Sequence, residues 1–404
     1  MKQAVMYGGG NIGRGFIGAT LSQSGHKVTF VDVAAPVVQA LQEKNTYPVR
    51  YVSNDGHEDV WIQNVTAVDG NDTESVADVI AKCDIMATAV GVRVLPWIVP
   101  NIVAGLRKRW AEDRGALNII ICENLMNANH VLEGMLKEKL TEEECALFDR
   151  TVGLVEASIG RMVPVQTEEM KDGNPLRVCV EKYGFLPVDQ DAFKGEIPEI
   201  TNLVPYSPFD FYLKRKLYIH NMGHATCAYL GDILGLDYIY ESIDRADVYI
   251  LVKNAMLESA QALAAQYQAP IKPLMDHIDD LLNRFTNSAL GDTCQRVGGD
   301  PARKLSPEDR LVGAGKLALQ QGIAPCHIAV GAAAGVRRYL AENSKDQSMD
   351  NALEVLVQVS GLSGEEKLTQ MILAMYKMIL EGSTIADLRK AAGRLQAENL
   401  QNAI

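Results

Sequence analysis

Apolar and polar positions along the first third of the chain switch between two periods. KQAVMY (2–7) is a short β-type run, Gly8–Gly15 follow it, FIGATLSQS (16–24) takes up helical spacing, and KVTFVDV (27–33) returns to β-branched residues. Strand, glycines, helix and strand in that order predict a βαβ unit, with parallel strands and a right-handed crossover. DIMATAV (84–90) and LNIIIC (117–122) repeat the buried-strand pattern. Between them, VLPWIVPNIVAGLRKRW (94–110) reads as a helix with an irregular start at Pro96 and Pro100. The NDG turn inside YPVRYVSNDGHEDVWIQNV (47–65) predicts an antiparallel excursion. A second β-rich stretch covers TVGLVEASIGRMVPV (151–165) and PLRVCVEKY (175–183). Past about Pro205 the spacing becomes helical: 210–231, 246–267, 308–322 and the segments from 349 to 395. The pattern predicts an α/β domain over 1–200, doubly wound with an antiparallel β excursion, and an all-helical domain over 201–404. Proline and polar residues mark the join near 196–206.

Composition narrows the function classes. The chain has 404 residues, 39 basic against 51 acidic, for a net charge of −12. That balance argues against a nucleic-acid or anionic-membrane binder, so an anionic ligand would need its cations gathered locally. The longest apolar runs, such as IAVGAAAG (328–335), fall short of the ~20 residues of a membrane span. Nothing at the start reads as a signal peptide, because MKQAVMYGGG breaks into glycines too early. Seven scattered cysteines without a CxxC fit reduced thiols in a cytoplasm, with no sign of a zinc cluster.

Gly8-Gly9-Gly10-Asn11-Ile12-Gly13 satisfies GxGxxG directly after the first strand. There Gly8 allows the tight turn, Gly10 lets the backbone approach a pyrophosphate and Gly13 permits close packing, while the helix N-terminus supplies amide donors. Asp32 ends the second strand 19 residues after Gly13, where an acid accepts both hydroxyls of an adenosine ribose and repels a 2′-phosphate. The setting predicts a Rossmann-type domain that prefers NAD over NADP, a preference that Arg14 and Lys27 would soften. A plain structural glycine turn is the alternative.

KRKLYIHNMGH (214–224) holds Lys216, Asn221 and His224. At about 100° per residue of an α-helix the three can border one cleft. A lysine of lowered pKa exchanges a proton, an asparagine steadies an oxyanion, and a histidine orients a hydroxyl. Spacing alone favours a plain basic amphipathic turn with a satisfied histidine. His220 stands four before His224, but no third ligand follows at metal spacing.

The chain resembles the polyol-specific long-chain dehydrogenases, the mannitol dehydrogenase family. The resemblance runs in order through GGGNIGRGFIG (8–18), TAVG (88–91), CENLMN (122–127), KRKLYIHNMGHATCAYLG (214–231) and RFTNSALGDTCQRVGGDPARKLSPEDRL (284–311). It implies Lys216 as general acid/base, Asn124 and Asn221 as the oxyanion pair, and His224 as the substrate-orienting histidine. It further implies Thr88, Val90 and Asn124 beside the cofactor, together with Gly8, Gly10, Asn11, Ile12, Gly13 and Asp32. Arg296 and Lys304 match substrate-contacting positions, and no metal is implied. Gly160 stands where many relatives carry aspartate, and Gly9 replaces the usual alanine.

The shared trio does not choose among substrates; charge does. A sugar phosphate needs a compact cationic clamp, and Lys214, Arg215, Arg284, Arg296, Arg303 and Lys304 are the candidates. The pattern resembles the phosphate-using branch, implying NAD(H)-dependent interconversion of D-mannitol 1-phosphate and D-fructose 6-phosphate by a cytoplasmic monomer. Free mannitol or a hexuronate such as tagaturonate or fructuronate is the nearest alternative, and a non-catalytic NAD-binding sensor a more distant one. Cys122 and Cys227 lack an arrangement that suggests a nucleophile and read as packed thiols, and Trp97 and Trp110 as core or interdomain packing.

Overall fold

The computed structural model describes residues 1–401 and divides the chain into two compact units, Met1–Tyr212 and Leu213–Ile404. The first is built on a six-stranded parallel sheet of β1 (Lys2–Tyr7), β2 (His26–Asp32), β5 (Val65–Asp69), β6 (Ile85–Thr88), β7 (Leu117–Ile121) and β8 (Val152–Glu156). Its order is β5-β2-β1-β6-β7-β8, so the chain reverses its direction of winding between β1 and β6. Such a reversal opens a crevice at the carboxyl ends of the strands. Ala4 and Met6 pack into one buried cluster and Val5 and Tyr7 into another, one on each face of the sheet. Strands buried on both faces read as unbroken apolar runs, which is why periodicity finds them.

The antiparallel excursion is present. β3 (Tyr47–Ser53) pairs antiparallel with β4 (Gly56–Ile62) and parallel with β9 (Val178–Val180). Tyr47, Val49, Ile62, Val178 and Val180 join the same buried cluster as Ala4 and Met6, so this small sheet covers one face of the large one. Leu95–Ala111 is one helix with Pro96 in its first turn and Pro100 inside it. Trp110 is partly buried and donates to the Thr151 hydroxyl at 3.0 Å, whereas Trp97, expected to pack, is 78% exposed. The two short strands β10 (Leu186–Asp189) and β11 (Leu203–Tyr206) pair in parallel, which draws the expected linker into the first unit and moves the division to 212/213.

Among its described residues the second unit is helical, apart from an isolated bridge between Tyr238 and Thr293. Met222–Ile233 and Cys326–Glu342 are its most buried helices, and they approach so closely that a side chain at Gly331 would meet the Thr226 hydroxyl at 2.3 Å. Glu258 is 1% exposed yet fully satisfied: its oxygens accept the His327 and Ile328 amides and one lies 2.7 Å from His327 Nδ1. That carboxylate caps the start of Cys326–Glu342 and accounts for His327 as a structural histidine. No helix among the described residues is long and apolar enough to cross a membrane.

Candidate active site

The first unit gathers its chemistry at the sheet's reversal point. β1 ends in Gly8 at φ +100°, where a Cβ would collide with the Ala89 carbonyl, and a Cβ on Gly13 would lie 1.9 Å from the Gly8 carbonyl. Glycine is therefore required at both. Gly10 has nothing within 4 Å of its Cβ position and is exposed, leaving open space over the loop. Asn11 is exposed and Ile12 half-buried beside it. Gly13–Gly18 forms a π-turn before the helix settles into α geometry.

Asp32 closes β2. Its Oδ2 accepts the Gly9 amide at 2.6 Å and its Oδ1 the Ala34 amide at 2.8 Å. An ionised carboxylate has about four lone-pair sites, so capacity remains for two ribose hydroxyls. Of the two cations expected to soften the preference for NAD, one is within electrostatic reach of this acid. Arg14 is buried, donating from Nε to the Gly9 carbonyl at 2.6 Å and from Nη1 to the Leu176 carbonyl at 2.5 Å. Lys27 sits at the other end of β2, about 16 Å away along the strand.

Thr88 ends β6 with a fully buried hydroxyl that has no partner among the described residues. Buried polar groups are normally satisfied, so an orphan beside the glycine loop marks where a polar ligand belongs. Val90 follows it, half-buried. The Val90 and Gly91 amides donate to the two oxygens of Glu123 at 2.9 and 2.8 Å. Glu123, 8% exposed, thus ties the loop after β6 to the loop after β7 and immediately precedes the exposed Asn124. Sequence reasoning passed over it. Open space at Gly10, a required glycine on either side, the acid on β2 and the orphan hydroxyl on β6 fit a dinucleotide.

In the second unit the lysine segment is not plain α-helix. Lys216–Asn221 is a π-turn, followed by α-helix from Met222. A π-turn closes on the fifth residue, so Lys216 and Asn221, five apart, stack across one turn. The α-geometry assumed from spacing set them on more divergent faces. His224 follows Asn221 by three, on the adjoining face. Lys216 is half-buried, and burial, with Arg310 second, lowers its pKa to about 8. His224 stacks on Phe285 with centroids 4.8 Å apart. Burial, followed by Arg296, Arg310, Lys304 and Arg284, pushes its pKa down to about 3, so the ring is neutral at working pH. His220 lies 6.0 Å from it, ring to ring, and no trio of His, Cys, Asp or Glu among the described residues is placed to hold a metal.

The clamp candidates divide. Lys304 is 5% exposed and donates to the Val297 carbonyl at 2.6 Å and to the Gly299 carbonyl. Burial, then Arg310 and Arg303, lowers its pKa to about 8. Arg296 is exposed and ion-paired with the buried Asp292. Arg303 is held by Asp300 and Asp309, while Arg310, absent from the expected set, shares Asp309. Tyr218, on the π-turn, donates to the Glu308 carbonyl at 3.2 Å and so anchors the loop that carries Arg310. Arg215 acts on half-buried His277, and Lys214 lies over the Tyr267 ring. A Cβ on Gly160 would already stand 3.0 Å from the Tyr183 ring, so an aspartate does not fit there without moving it.

Comparison with known proteins agrees with both units. Residues 2–202 match the model of the mannitol dehydrogenase Rossmann domain, and residues 209–388 that of the mannitol dehydrogenase C-terminal domain. A mannitol-1-phosphate 5-dehydrogenase of Shouchella clausii is 38% identical over 327 residues, 80% of this chain and 85% of that one. Another, of Oceanobacillus iheyensis, is 32% identical over 387 residues, 94% of this chain and 99% of that one. Among solved structures, a D-sorbitol dehydrogenase in substrate-free form shares the fold, with a TM-score of 0.78 at 14% identity, over 95% of this chain and 94% of that one. With both units matched and relatives above 30% identity along most of its length, the chain belongs to the mannitol dehydrogenase family.

Proposed function

We propose that this NAD-dependent oxidoreductase interconverts D-mannitol 1-phosphate and D-fructose 6-phosphate without a metal, with Lys216 exchanging the proton. The observation that carries the reading is the Lys216 ammonium, lowered to about 8 and set one π-turn from Asn221. A lysine so tuned holds its proton below pH 8 and releases it above, which suits a carbonyl/alcohol pair. Bound NAD(H) supplies or accepts the hydride. In reduction Lys216 Nζ gives its proton to the former carbonyl oxygen; in oxidation it takes one from the hydroxyl. The Asn221 amide steadies the oxyanion, and Asn124 is proposed for the same work on the strength of the sequence resemblance. Neutral His224 orients a substrate hydroxyl.

A phosphorylated substrate is supported by the names of the relatives and by charge. Arg284, Arg296, Lys304 and Arg310 all act on His224. Arg215, Arg296, Arg303 and Lys304 are proposed as phosphate ligands, with Arg310 added from the geometry. Arg303 is the weakest of these, since Asp300 and Asp309 already balance it. A cytoplasmic monomer belongs to the same proposal; six of the seven cysteines are buried free thiols, in keeping with a reducing compartment.

The test is NADH oxidation by the purified protein with fructose 6-phosphate beside fructose, tagaturonate and fructuronate. Turnover confined to fructose 6-phosphate is expected. Preference for an unphosphorylated sugar or a uronate overturns the substrate assignment, and silence on all four with NADH still bound overturns the reaction.

A further inference from the structure

Nε2 of His224 is buried and unsatisfied among the described residues, and a carboxylate oxygen, Asp292 Oδ2, lies 3.5 Å from it. Asp292 is 7% exposed, and its other oxygen pairs with Arg296 Nη2. Its backbone is fixed by three contacts. The Asp292 carbonyl accepts the Ile239 amide at 2.9 Å, Thr293 bridges Tyr238, and the Cys294 amide donates to the Asp237 carbonyl at 2.8 Å. The carboxylate is thus presented to the ring by an anchored strand-like bridge, while Phe285 stacks against the ring face.

A neutral imidazole carries one N–H, and the partner of one nitrogen decides which role the other plays. The largest charges acting on this ring, Arg296, Arg310, Lys304 and Arg284, are cations, and a cation cannot accept its proton. We infer that Asp292 is a positioning residue: it accepts Nε2–H of neutral His224, leaves Nδ1 as the acceptor for a substrate hydroxyl, and with its second oxygen holds Arg296. The inference rests on the proposed role of His224 in orienting substrate. One carboxylate then sets both the tautomer of the histidine and the place of a substrate-contacting arginine.

Two experiments on the full chain decide it. Nitrogen-15 NMR of histidine-labelled wild-type protein, with His224→Asn as the assignment control, should show His224 neutral at pH 7.5 with its proton on Nε2. A proton on Nδ1 overturns the inference, and this readout does not depend on any variant of Asp292 folding. Asp292→Asn should raise KM for fructose 6-phosphate roughly tenfold or more and leave NADH affinity unchanged. That penalty should shrink about threefold or more in a His224→Asn background, because the two residues act as a unit. Fully additive penalties overturn the coupling. Should the wild-type enzyme ignore fructose 6-phosphate, the substrate reading fails while the tautomer measurement still judges the Asp292–His224 pairing.

Discussion

The Gly9 amide donates to the Asp32 carboxylate at 2.6 Å, so the acid that closes the second strand also fixes the glycine loop that closes the first. Asp32→Ala therefore removes a loop anchor together with the proposed ribose acceptor. A hydrogen bond to a charged group is worth about 1.5–3 kcal/mol, so NADH should bind roughly tenfold to a hundredfold more weakly. NADPH should lose less, because the repulsion of its 2′-phosphate disappears. Fluorescence titration with both nucleotides checks this; equal losses would contradict a discriminating role for Asp32.

Gly10 and Gly13 should separate binding from folding. A methyl at Gly13 has the Gly8 carbonyl 1.9 Å away, and overpacking of this kind costs about 1–3 kcal/mol, so Gly13→Ala should lower Tm. Gly10→Ala meets nothing within 4 Å and should leave Tm unchanged while weakening NADH roughly tenfold or more, since the methyl occupies the approach of the pyrophosphate. Full NADH affinity in Gly10→Ala would mean that the open space serves something else.

Glu123→Gln probes the tie between the loops after β6 and β7. A glutamine offers one carbonyl oxygen and turns its NH2 toward a backbone N–H, losing one bond and leaving a donor unsatisfied, for about 1–3 kcal/mol. Tm should fall by several degrees and KM for NADH should rise. If both stay at wild-type values, the two loops hold their shape without the carboxylate.

Much of this was legible in the sequence. The apolar run KQAVMY is β1 to the residue, and the helical spacing of 246–267 is the helix Ala246–Tyr267, because continuous burial leaves an uninterrupted local pattern. GxGxxG and the acid on the second strand can be read locally for the same reason. The π-turn at Lys216 could not be, since adding one residue to a turn changes hydrogen bonding without changing composition. Glu123, Asp292 and Arg310 were missed because Val90, His224 and Lys216, on which they act, lie far along the chain, and a charged residue in a polar loop looks solvated until the fold closes around it. Trp97 erred the other way: an aromatic at helical spacing resembles core, yet it is exposed.

Arg310→Gln removes the second cause of the lowered lysine pKa and leaves the first, burial, in place. The pKa seen in the pH profile of turnover should move upward from about 8 but stop short of the ordinary value of 10.5. KM for fructose 6-phosphate should rise as well, if the arginine contacts phosphate. An unchanged profile would remove Arg310 from the account of Lys216.

The most direct test is the pH dependence of kcat/KM for the sugar phosphate, measured in both directions from about pH 6.5 to 10. Reduction needs Lys216 protonated, so its rate should be flat at low pH and fall through about 8; oxidation needs the neutral amine and should rise through the same value. Lys216→Ala should lose both profiles, with turnover down roughly 10²–10⁴-fold and NADH binding intact. Two profiles bending the same way, or a lysine-free variant that keeps the bend near 8, would contradict Lys216 as the proton exchanger.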